Sequence, residues 1–76
     1  FSMNIEYEKK LGKNIRSLRE KANLTQECLS AQMQINGCDI TRSALAKIEV
    51  GQRHIYPDEL KLFKELLNVS FDELFV

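Results

Sequence analysis

The stretch ITRSALAKIEVGQR, residues 40–53, sets Arg42, Lys47, Glu49 and Arg53 among apolar residues. Arginine brings a permanently charged fork of donors that fits a carboxylate or a phosphate; lysine brings a compact point charge. Ser43 adds a hydroxyl that can donate. A helix that only fills a core needs none of these charges. Taken alone, the two cations Arg42 and Lys47 read as a solvated face, and Glu49, one residue past the apolar Ile48, is the anomaly. The residues that commonly run reactions are sparse elsewhere. His54 is the single histidine, Cys28 and Cys38 form no CxxC, and no glycine-rich phosphate loop or nucleophile–base pair is present. An enzyme is therefore not expected, nor a metal site, nor a cofactor. Two cysteines are not a secreted disulfide framework, and they read as reduced thiols of a cytoplasmic protein.

The elements that position these groups follow from apolar spacing and helix punctuation. Tyr7, Leu11, Ile15, Leu18 and Ala22 share one face of a helix from about Glu6 to Ala22, with Gly12 inside it at a cost of about 1 kcal/mol. Asn23 can take the left-handed backbone that ends it. Thr25 caps a second helix, with Leu24 and Leu29 as a hydrophobic staple and Leu29 and Met33 as its buried stripe. Gln34 to Ile40 contains Asn-Gly and reads as a connector, with or without one more turn of helix at its start. Thr41 caps a third helix over about Arg42–Val50, with Ile40, Leu45 and Ile48 facing inward and Gly51 as its stop. Pro57 opens a fourth helix, with Leu60, Phe63 and Leu67 inside and Asn68 at its end. Ser70-Phe71-Asp72-Glu73 is a capping box for a short fifth helix over about Phe71–Phe75, with Val69 and Leu74 as its staple. The reading is all-α, without a credible strand.

With 76 residues the chain has room for one small domain. The domain is set at 6–76, and 1–5 is read as an N-terminal extension or a remnant of cloning, with Phe1-Ser2 ahead of Met3. Residues 1–10 have no apolar stretch of a signal peptide, and no run reaches the ~20 residues of a membrane span. Net charge is zero, but unevenly spread. Residues 1–53 carry nine Lys or Arg against six Asp or Glu, and residues 54–76 carry two against five. That asymmetry suits a basic working end and an acidic distal end, or a solvated helix face.

Three segments in order, IRSLREKANLTQECLS, ITRSALAKIEVGQR and LLNVSFDELF, resemble the Cro and phage-repressor (Xre) family of helix-turn-helix proteins over roughly Leu11 to Phe75. The resemblance implies a compact five-helix bundle of the lambda-repressor type. One departure stands out. The connector from Gln34 to Ile40 is longer than the ~4-residue turn such proteins use.

In this family the third helix lies in the major groove of double-stranded DNA. The resemblance therefore implies base contacts from Arg42, Ser43, Ala46 and Lys47, the residues opposite Leu45 and Ile48. Arg42 suits guanine, whose O6 and N7 match its fork, and Ala46 suits a thymine methyl. Thr25 and Gln26, at the start of the second helix, and Gln52 and Arg53, just after the third, are implied phosphate contacts. Lys13 and Arg16 read as a solvated face. Glu49 acquires an explanation: the matching family positions form a partly buried pair, here Arg19 with Glu49, tying the first helix to the third.

Leu62 and Leu66 form a second apolar row on the fourth helix, extended by Phe71 and Phe75. Such a surplus suits a homodimer, which would set two third helices ~34 Å apart on a palindromic operator. It equally suits packing beneath Ile5 and Tyr7. The expected function is a sequence-specific regulator bound to double-stranded DNA. The alternative is a protein-interaction module of the same fold, antitoxin-like or bound to a partner, that does not read DNA.

Overall fold

The computed structural model describes residues 5–76. Its helices are α1 (Ile5–Lys21), α2 (Gln26–Ile35), α3 (Arg42–Glu49), α4 (Pro57–Leu67) and α5 (Phe71–Leu74). Residues 1–4 of the extension assigned to 1–5 lie outside the described residues, whereas Ile5 already belongs to α1. Among the described residues no helix is long and apolar enough to cross a membrane.

The starts of α2 to α5 are capped as their side chains dictate. Thr25 accepts from the Cys28 amide at 3.0 Å and Thr41 from the Ala44 amide at 3.1 Å. Ser70 accepts from the Glu73 amide while the Glu73 carboxylate accepts from the Ser70 amide, both at 3.1 Å. At the start of α4 the Glu59 carboxylate takes the Tyr56 amide at 3.0 Å. Each pairing satisfies a donor that the helix itself leaves open.

The ends of α1 to α4 share one device. Asn23, Gly37, Gly51 and Asn68 all have positive φ, at 60, 92, 78 and 56°. In each case the next amide reaches back five residues: Leu24 to the Arg19 carbonyl, Cys38 to Met33, Gln52 to Lys47 and Val69 to Lys64. That pattern, with a second bond from the left-handed residue itself, is the Schellman termination. It resolves the long connector. Gln34 and Ile35 remain helical, Asn36 and Gly37 close α2, and the Gln34 side chain then donates to the Ile40 carbonyl at 2.9 Å. The connector expected from Gln34 to Ile40 is thus a helix end plus a short strut, and six residues separate α2 from α3.

The interior joins Leu11 and Ile15 of α1, Leu29 and Met33 of α2, Ile40, Leu45 and Ile48 around α3, Phe63 and Leu67 of α4, and Leu74 of α5. Ala22 is exposed, not buried as its spacing suggested, because the chain leaves helical geometry at that residue. Val50 and Phe75 are caps rather than helical residues, so α3 and α5 each stop one residue earlier than expected.

At Gly12 two helices approach closely. A Cβ placed on this glycine would lie 2.1 Å from the Ile48 carbonyl oxygen. Glycine there lets the backbone of α1 rest on the last turn of α3, which explains a residue that costs α1 helical propensity.

Candidate nucleic-acid interface

The inner side of α3 is anchored first. Leu45 and Ile48 enter the core, and Glu49 is buried beside them with its side chain 1% exposed. A buried carboxylate requires compensation. Arg19 supplies it in bidentate form, Nε donating to Oε2 at 2.7 Å and Nη2 to Oε1 at 3.1 Å. Arg19 also donates through Nη1 to the Leu24 carbonyl at 2.8 Å, and the Gln26 amide donates to Glu49 Oε1 at 3.0 Å. The hydrogen bonds to Glu49 hold the Arg19 guanidinium above its ordinary range against the opposing effect of burial. One cluster thereby fixes α1, the α1–α2 turn, the start of α2 and the end of α3 relative to each other.

The outer side of α3 is open. Arg42, Ser43 and Lys47 are exposed, and half-buried Ala46 lines a shallow groove with Gln26, Arg42 and Ser43. A second, polar concavity runs beside it, bounded by Arg16, Arg19, Thr25, Gln26, Glu27 and Arg42. The four expected base-contact residues therefore share one face, and Thr25 and Gln26 border it. Both have structural duties as well. The Thr25 oxygen caps α2, and the Gln26 amide is partly engaged by Glu49.

The arginines divide sharply. Arg16 pairs with Glu20 at 3.4 Å, Arg19 with Glu49, and Arg53 with Glu59 at 2.9 Å. Among the described residues Arg42 is the arginine without an ion-pair partner.

Arg53, expected as a phosphate contact, is engaged within the protein. Nη1 and Nη2 grip the two oxygens of the largely buried Glu59, Nη1 also donates to the His54 carbonyl at 2.9 Å, and the guanidinium lies 5.6 Å from the centroid of the Tyr56 ring. The hydrogen bonds to Glu59 raise the Arg53 pKa against its burial. For Glu59, burial is the largest influence and pushes the carboxyl up. The Arg53 bonds, the Tyr56 amide and the Arg53 charge together outweigh it, and the carboxyl lies below its ordinary value. Gln52 is exposed next to this lock, and His54 Nδ1 closes a short contact with Glu8 Oε1.

Several of these partners were not foreseen. Asn14 donates to the carbonyls of Glu73 and Leu74 at 2.8 and 2.7 Å, clamping α5 onto α1. The Ser-Phe-Asp-Glu box marks α5 in sequence, but nothing local marks what holds it. Leu62 and Leu66 are half-buried against the core, while Phe71 and Phe75 are exposed with ring centroids 6.3 Å apart and Lys64 Nζ 5.4 Å from the Phe71 centroid. The outer apolar row is thus narrower than expected and centred on α5. Tyr7 packs against the core; the Ile5 side chain of the alternative packing lies outside the described residues. Cys28 is an exposed free thiol. Cys38 is half-buried, and its burial, with the charges of Asp58 and Glu59, pushes its thiol above the ordinary value.

The fold is similar to the crystal structure of the DNA-binding domain of BldD, with a TM-score of 0.81 at 23% identity over 97% of this chain and 100% of that one. It is similar also to the S. venezulae BldD DNA-binding domain, with a TM-score of 0.77 at 22% identity over 93% of this chain and 99% of that one. At such identities the likeness is one of fold. No curated protein gives a significant match. A helix-turn-helix family model matches residues 15–74, from the middle of α1 to the end of α5. Five capped helices, an ion pair locking the third to the first and a match over most of the sequence lead to one conclusion: the chain belongs to the helix-turn-helix family, in its Xre or lambda-repressor branch.

Proposed function

We propose that this protein is a DNA-binding regulator that reads double-stranded DNA in a sequence-specific manner through the outer face of α3. One observation carries the reading: Arg42, in the first turn of α3, keeps its guanidinium exposed and unpaired among the described residues, whereas the other arginines are bound to carboxylates. Around it lie Ser43, Ala46 and Lys47 for base edges, with the opening of α2 at Thr25 and Gln26 for a phosphate. Gln52 and Arg53 are the phosphate contacts beyond α3, the latter with its guanidinium already oriented by Glu59. The BldD domains that share this fold are DNA-binding domains, which agrees with this assignment.

The test is selection of binding sites from random duplex DNA with the wild type and Arg42→Ala. The variant should lose about 1–3 kcal/mol and relax preference at one base pair per half-site. Selection that enriches no sequence would overturn the reading. Pairing of two copies through Phe71 and Phe75, with Leu62 and Leu66 beneath, would match a palindromic operator.

The second reading, a protein-interaction module of this fold, draws on the zero net charge and the two exposed phenylalanines. Salt separates the two. Phosphate binding weakens steeply as salt rises, and an apolar interface does not.

A further inference from the structure

Glu27 stands in the first turn of α2 and lines the polar concavity that also takes in Arg16, Thr25, Gln26 and Arg42. Its carboxylate makes no hydrogen bond or ion pair with any described residue, and its backbone carbonyl alone is engaged, by Ser30 Oγ at 3.0 Å. The cations of the same concavity are not equivalent. Arg16 is paired with Glu20, and Arg19, which also lines it, is committed to Glu49. The unpaired charges bordering this opening are therefore Arg42 and Glu27, one of each sign. A carboxylate there also benefits from the positive end of the α2 dipole, which accounts for its stability but not for its place beside the cation.

We propose that Glu27 is a discriminating residue: its carboxylate opposes entry of the duplex backbone at α2 and so suppresses binding that does not depend on sequence. This rests on the DNA-binding reading above. Sequence-independent affinity comes from cations that neutralise phosphates and release counterions. In a chain with no net charge, one uncompensated carboxylate at the phosphate entrance removes a sizeable share of that attraction. Binding then depends on what Arg42, Ser43, Ala46 and Lys47 gain from base edges, and the ratio of specific to non-specific affinity rises.

The experiment compares the wild type with Glu27→Gln, which keeps the size and removes the charge. Each is titrated with the selected site and with a random-sequence duplex across a salt series, and each is melted without DNA. Glu27→Gln should bind the random duplex about fivefold more tightly, the size of one close like-charge repulsion in water. Its salt slope on that duplex should steepen by about 0.9, the equivalent of one further phosphate neutralised. The selected site should gain less, so the specificity ratio falls. Unchanged random-duplex affinity and slope, with the wild type binding normally, would overturn the role of Glu27 and leave the DNA reading intact. Loss of preference at a single base pair without a gain on random duplex would also overturn it, making Glu27 a base reader. A wild type that binds no duplex at any salt would overturn both readings.

Discussion

Arg19 and Glu49, 30 residues apart in sequence, meet in two parallel hydrogen bonds of 2.7 and 3.1 Å at the junction of α1 and α3. Removing one partner leaves the other charge buried without compensation, which typically costs about 3–5 kcal/mol. Arg19→Ala and Glu49→Ala should each lower the melting temperature more than any substitution at Arg42, Ser43 or Lys47, whose side chains stand in solvent. Thermal melts followed by circular dichroism give the ranking, and an unshifted Arg19→Ala melt would contradict it.

Gly12→Ala is expected to destabilise, although alanine is the better helix former by about 1 kcal/mol. The added methyl would sit 2.1 Å from the Ile48 carbonyl oxygen, which is backbone and has no rotamer to escape into. Overpacking of this kind costs about 1–3 kcal/mol or more. A lower urea midpoint at unchanged m-value is the expected signature.

Glu59 makes the stability sensitive to acid. Its carboxyl is held below the ordinary value because the Arg53 and Tyr56 interactions outweigh the effect of burial. A carboxyl depressed in the folded state contributes stability that is fully present above its unfolded pKa, about 4.3 for glutamate, and lost as pH falls through the folded value. Unfolding free energy measured from pH 6 downward should therefore fall more steeply for the wild type than for Glu59→Gln below about pH 4.3. Parallel curves would rule out this contribution.

Cys28 occupies the third helical position of α2, where Glu59 in α4 and Glu73 in α5 reach back to the cap amide. Cys28→Glu should complete the reciprocal cap with Thr25 and stabilise by about 0.5–1 kcal/mol. In a chain of this length that is a rise of a few degrees in Tm, at about 4–8 °C per kcal/mol.

Phe71 and Phe75 present their rings to solvent. If they pair two copies, sedimentation equilibrium will give a dimer for the wild type and a monomer for Phe71→Glu/Phe75→Glu. This pair of sites is preferable to Leu62 and Leu66, which also pack on the core, so that a charge there would confound association with unfolding. A monomeric wild type would remove the pairing.

What could be read from the sequence is what is decided within a turn or two of the chain. Thr25, Thr41 and Ser70 announce helix starts because a cap bonds three residues ahead. Asn23 and Asn68 announce ends because so few residues accept their backbone angles. The apolar stripes located the core for the same reason. Contacts made at a distance were invisible. Gly12 registered as a cost until Ile48 came to lie over it, and Asn14 looked like one more polar residue on α1 although it holds α5. The bond between Arg53 and Glu59 was equally hidden, because the two come within reach only once the α3–α4 loop has its path. The roles of Arg42 and of the Arg19–Glu49 pair came from likeness to a family. Taken alone, Arg42 reads as part of a solvated face and Glu49 only as an anomaly beside the core.

The left-handed residues at 23, 37, 51 and 68 bear on how quickly the chain reaches this structure. Each halts its helix using only the few residues before it, so the freshly made polypeptide already favours segments of the right length before they touch. What remains is the docking of short, preshaped rods, the kind of problem small helical proteins complete in microseconds to milliseconds. Synthesis proceeds at only about 5–20 residues per second, so each helix end is set before the next helix is made, and docking follows promptly once α5 supplies Leu74 to the core.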